Sequence, residues 1–122
     1  MTQGRLFALM SELYGDVPLE RFKKMKEEFC ELDEAVYDFM LARQQDKDTD
    51  GFFACMIDEL ADLNAVIFHL AGILGYSQNK LLQIAGDKIR GRIKNPDYKR
   101  HHPHKNHVHS VQAVQGVQDM NN

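Results

Sequence analysis

Residues 18–43 read PLERFKKMKEEFCELDEAVYDFMLAR, and this stretch decides the fold. Phe22, Met25, Phe29, Leu32, Val36 and Phe39 recur at alternating spacings of three and four. That rhythm lines them along one side of a helix as a continuous apolar seam. Pro18 is suited to a first turn, where its missing N–H has no intrahelical partner, and Asp16 is the expected cap. Residues 44–51 form a polar turn in which Thr49 or Asp50 can cap the next helix. A second seam follows in Met56, Leu60, Leu63, Ile67, Leu70 and Leu74, and Gly75 suits the left-handed position that ends a helix. Two long amphipathic helices joined by a short turn are antiparallel neighbours.

Working outward, Leu6, Leu9, Met10 and Leu13 predict a short helix over about residues 2–14 that stops at Gly15. Beyond Gly75, Ser77 can cap a fourth helix carrying Leu81, Ile84, Ala85 and Ile89 and ending near Asn95 and Pro96. No stretch alternates apolar and polar residues as a strand does. The expected fold is all-α, an antiparallel bundle of about four helices over residues 1–95. Residues 96–122 differ in composition: they hold five of the six histidines (His101, His102, His104, His107, His109) and a Val-Gln repeat over 111–118. They are expected to be a flexible tail with at most weak helix.

At 122 residues the chain has room for one such domain. Its formal charge of −3 conceals a segregation, since residues 1–87 carry 8 basic and 16 acidic side chains and residues 88–122 carry 7 and 2. A folded part this acidic argues against a nucleic-acid binder, except through the tail. The longest apolar run, 65–76, is interrupted by His69 and is too short to span a bilayer. Cys30 and Cys55 sit in helical patterns with no CxxC partner. These features predict a reduced, cytoplasmic setting and no membrane partner.

Beside the two seams run Lys24, Glu28, Glu31, Ala35 and Asp38 on one helix and Cys55, Glu59, Asp62, Val66 and His69 on the other. Glu28 and Glu31 are three apart, as are Glu59 and Asp62, so each pair occupies one helix face. An antiparallel hairpin turning near position 45 sets Glu28 opposite Asp62 and Glu31 opposite Glu59. The polar turn is centred slightly later, a mismatch on the order of 7 Å unless the second helix ends early. Four carboxylates so placed repel one another unless a cation lies among them. All-oxygen ligation points to Mg²⁺ or Mn²⁺ rather than zinc, and neither pair supplies the Glu-x-x-His of a di-iron bundle. His69 is expected to be a satisfied bundle histidine. On this spacing alone, a solvated acidic surface remains the alternative.

The segment Glu27-Glu28-Phe29-Cys30-Glu31-Leu32-Asp33-Glu34-Ala35, followed by Asp58-Glu59-Leu60-Ala61-Asp62-Leu63, resembles the two-part signature of the MazG-like all-α nucleoside triphosphate pyrophosphohydrolases. The resemblance covers about residues 5–95. Its phosphoribosyl-ATP branch usually carries a His four residues after the motif Asp, where this chain has Val66. The resemblance implies hydrolysis of a (deoxy)nucleoside triphosphate between the α and β phosphates, with Glu28, Glu31, Glu59 and Asp62 holding one to three Mg²⁺ ions. Either Glu28 or Glu31 would orient the attacking water as general base. Lys88 and Arg92, four apart on the fourth helix, are the expected phosphate donors, with Lys80 and Arg90 behind them. Family members often place an Asn beside these basic residues, where this chain has Asp87. Phe7, Tyr14 and Phe53 are candidates for base stacking.

Long seams on a short chain leave apolar stripes to share, so a homodimer or homotetramer is expected. The competing reading is a non-catalytic helical module that binds a protein or nucleic-acid partner.

Overall fold

The computed structural model describes residues 1–103, and every regular element among them is helical. In chain order these are α1 (Gln3–Tyr14), α2 (Pro18–Gln44), α3 (Asp50–Ile73), α4 (Gln78–Lys94) and α5 (Pro96–His101). The chain divides into two compact units, Met1–Leu82 and a second beginning at Gln83. Most of the His-rich tail lies outside the described residues. No described helix is long and apolar enough to cross a membrane.

In the first unit α2 and α3 pack along each other and α1 packs on α3. The stops are those the residues dictate. Gly15 and Gly75 take φ values of 76° and 88°, and Gly75 N–H donates to the Gly72 carbonyl while Tyr76 N–H reaches back to Ala71. Only a residue without Cβ adopts this left-handed turn freely.

Capping differs in part from expectation. Ser77 Oγ accepts from Lys80 N–H as predicted, whereas α2 begins after Val17 without a side-chain cap. Asp16 is drawn elsewhere, to His69. Before α3 it is Asp48, not Thr49 or Asp50, whose carboxylate accepts a backbone N–H, that of Asp50.

The rotation of α2 about its axis is the main departure from the seam reading. Its buried line is Arg21, Glu28, Ala35 and Ala42, each seven residues from the last. Phe22, Phe29 and Val36 each follow a buried residue and so lie about 100° round the helix; they are exposed, Phe29 by 60%. On α3, Phe53, Leu60 and Ile67 are exposed as well, while Val66 and His69 are buried. The small side chains of Ala35 and Ala42 allow close approach on the inner line, which bulky aromatics there would prevent.

Gly72 serves the α1–α3 contact in a similar way. A Cβ at this position would stand 2.5 Å from the Phe7 ring, which meets the His69 ring edge-on at a centroid distance of 5.2 Å.

The second unit contains most of α4 and all of α5. Asn95 Oδ1 caps α5 by accepting from the N–H groups of Asp97 and Tyr98. The Tyr98 and His102 rings stack at 4.0 Å.

A candidate carboxylate centre beside a buried histidine

Three of the four carboxylates singled out by spacing come together. One oxygen from each of Glu28, Glu59 and Asp62 lies within 4.8 Å of the other two. Glu28 sits on the buried line of α2 and is only 7% exposed; Glu59 is half-buried and Asp62 exposed, so the cluster opens from interior to solvent. Glu28 Oε2 and Glu59 Oε2 are both buried with no hydrogen-bond partner. An ionised oxygen in that position lacks the interactions that ordinarily offset desolvation.

Glu31, expected to complete a set of four, is exposed and stands outside this group. Residues three apart on a helix differ by about 60° in direction. With α2 turned so that Glu28 points inward, that angle carries Glu31 toward solvent.

Lys24, one turn before Glu28, places its Nζ 3.2 Å from Glu28 Oε1 and 3.4 Å from Glu27 Oε2. The hydrogen bond to Glu28 raises the Lys24 pKa above its ordinary value, with burial acting in the opposite direction. Lys24, Arg21, Glu28 and Asp62 all line a pocket of about 150 Å³, whose apolar wall includes Met10 and Tyr14.

Behind this pocket lies a polar network that the sequence reading missed. His69 is 0% exposed and Arg21 3%. Arg21 Nε–H donates to His69 Nδ1 at 3.0 Å, and the guanidinium lies over the Tyr14 ring at 4.5 Å. Arginine has no acceptor, so His69 Nδ1 must be unprotonated and its proton resides on Nε2. That nitrogen donates to Ser11 Oγ at 3.0 Å and faces Asp16 Oδ1 at 3.4 Å. One imidazole thus ties α1, α2 and the α1–α2 turn to α3. His69 was expected as a satisfied bundle residue and has that environment; Arg21 carries a weak sequence signal, standing one heptad before Glu28.

Burial, followed by the Arg21 charge, holds the His69 pKa below its ordinary 6.5, with Asp16 opposing. Linkage sets the sign: above about pH 6.5 the site is neutral in both states and the stability is fully present. Below that pH the unfolded chain takes up a proton before the folded one, so stability declines until the lower folded-state pKa is reached. The urea midpoint is therefore expected to drop from about pH 7.5 to about pH 5.5, and His69→Gln is expected to flatten the drop. An unchanged slope in His69→Gln would place the titrating group elsewhere.

Tyr14 borders the pocket, Phe7 packs on His69, and Phe53 meets Phe39 at 6.0 Å. Lys80 is exposed in the first unit. Lys88 and Arg92 are exposed on α4 in the second unit, where Arg92 lies over Tyr98 at 5.4 Å and Arg90 pairs with Asp87. Compared with protein-family models, curated proteins and solved structures, the chain shows no significant match.

Proposed function

We propose that the Glu28, Glu59 and Asp62 carboxylates hold Mg²⁺, or Mn²⁺, and that the chain is a nucleotide pyrophosphohydrolase of the MazG-like kind. It would cleave a (deoxy)nucleoside triphosphate to the monophosphate and pyrophosphate. The observation that carries this reading is the Glu28 carboxylate, more than nine-tenths buried, with Oε2 unpartnered beside two other carboxylates. Oxygen-only donors of high charge suit a hard divalent cation. The ion supplies charge neutralisation of the polyphosphate and a more acidic bound water.

The residues of the chain have separate tasks in this scheme. Glu28, held by burial, fixes the inner side of the site, and Glu59 and Asp62 close it from α3. Glu31 lies one turn along α2 and is open to water. Either Glu28 or Glu31 would accept the proton of the water that attacks the α-phosphorus, while the bond from that phosphorus to the αβ-bridging oxygen breaks and pyrophosphate leaves. Thermal melts with and without Mg²⁺ test the site, since an ion bound only by the folded chain raises the melting temperature. No rise would return the chain to the interaction-module reading.

A second copy is part of the proposal. A groove of about 580 Å³ lined by Met25, Lys26, Phe29, Cys30, Leu63 and Ile67 has an entirely apolar accessible wall. Phe22, Phe29 and Val36 continue it along α2 at heptad spacing. Contiguous apolar surface of this kind marks an interface, and association with a like pair of helices would bury it. Sedimentation is expected to show a dimer or tetramer, and Phe29→Lys with Ile67→Glu to shift it to monomer. A monomeric parent chain would contradict this part.

A further inference from the structure

The carboxylate centre carries its own counter-ion. Arg21, Lys24 and Glu28 follow at spacings of three and four, so they share one face of α2. All three line the 150 Å³ pocket with Asp62, a space equal to about five waters and sufficient for a phosphate group. Glu28 is half-satisfied: Oε1 receives Lys24, and Oε2 receives nothing. Arg21 is half-satisfied too, with Nε bonded to His69 and Nη2 buried without a partner.

Counting Glu27, 3.4 Å from Lys24, four carboxylates stand against Lys24 and Arg21 and leave a formal charge of −2 around this space. A divalent cation cancels it, and because Glu27 is largely exposed and solvated, the charge facing the pocket itself turns from repelling anions to attracting them. The ammonium at 3.2 Å from Glu28 is then beside a doubly charged ion, a like-charge contact that a partly buried site screens poorly. Lysine has a flexible four-carbon stem and can move away, whereas the Arg21 guanidinium is held by His69 and Tyr14.

We infer that Lys24 is a charge-exchange residue: it neutralises Glu28 while no divalent cation is bound, and when the cation takes that carboxylate the ammonium, released from Glu28 and left with only the exposed Glu27, joins Arg21 in holding a phosphate-class anion in the same pocket. The inference rests on the metal-site reading above and names the residues that receive the anionic part of the substrate. Lys24 is a positioning residue in the metal-free state and a binding residue in the loaded one.

The test measures binding, not turnover. Free Mn²⁺ is followed by its electron paramagnetic resonance signal as it is titrated into the full chain, with and without inorganic phosphate, for wild type, Lys24→Met and Lys24→Arg. Methionine retains most of the stem of this half-buried side chain, so folding is not at issue. Without phosphate, Lys24→Met is expected to bind Mn²⁺ roughly three- to tenfold tighter, because a competing ion pair has been removed. Phosphate is expected to tighten Mn²⁺ binding to the wild type and not to Lys24→Met, the reciprocal coupling of two ligands in one site. Lys24→Arg is expected to restore the gain. Equal or weaker Mn²⁺ binding by Lys24→Met, or the same phosphate gain in both proteins, overturns the role of Lys24 while leaving the metal site standing. Absence of Mn²⁺ binding by the wild type overturns the metal site itself, and this inference with it.

Discussion

Glu28→Gln is expected to lower Mg²⁺-dependent hydrolysis by about 10²–10³-fold, the scale seen when one preorganised group facing developing charge is removed. The same substitution is expected to leave the metal-free protein at least as stable as the wild type. Glutamine preserves the shape of the side chain but removes a buried negative charge whose Oε2 has no partner. Lys24 then keeps Glu27 and is exposed enough to be solvated. Loss of Mg²⁺-induced stabilisation together with an unchanged or higher melting temperature in its absence distinguishes a ligand from a residue that merely supports the fold. A Glu28→Gln protein that retains full activity, or one that unfolds, would contradict the assignment.

Arg21→Ala is expected to have the largest effect on stability, a loss of about 2–4 kcal/mol. Three contributions act together: the hydrogen bond to His69 Nδ1 disappears, the buried stem leaves a cavity, and Tyr14 loses the guanidinium over its ring. For a unit of this size the loss corresponds to a fall in melting temperature of roughly 10–20 °C. Arg21→Lys keeps the charge but lacks the planar fork, so an intermediate value is expected. Indistinguishable melts for wild type and Arg21→Ala would show that the buried network does not hold α1 and α2 on α3.

Much of this architecture was legible in the residues, for reasons that can be stated. The three-four spacing of Phe22 to Phe39 and of Met56 to Leu74, with Gly15 and Gly75 at the breaks, set the helices and their ends to within a residue or two. The rotation of α2 was not legible. A wide apolar arc shows that a helix buries one side, but not which part of the arc meets its neighbour in the same chain. Here the inner line contains Glu28 and two alanines, and the aromatic line is exposed.

The same ambiguity separated Glu28 from Glu31. By spacing they are equivalent, and only the rotation of α2 brings one inward and sends the other toward solvent. Arg21 was obscured differently, since a cation at the start of a helix reads as surface charge until the buried imidazole it serves is known. Asp16 was expected as a cap because caps are local, and a contact with residue 69 leaves no trace in its neighbours.

The most direct test of the central claim is to incubate the protein with a panel of ribo- and deoxyribonucleoside triphosphates and Mg²⁺ and to resolve pyrophosphate from orthophosphate among the products. The account predicts pyrophosphate and the nucleoside monophosphate in equal amounts from at least one substrate, with Glu28→Gln reducing both. Orthophosphate as the primary product, or no hydrolysis of any member of the panel, would contradict it.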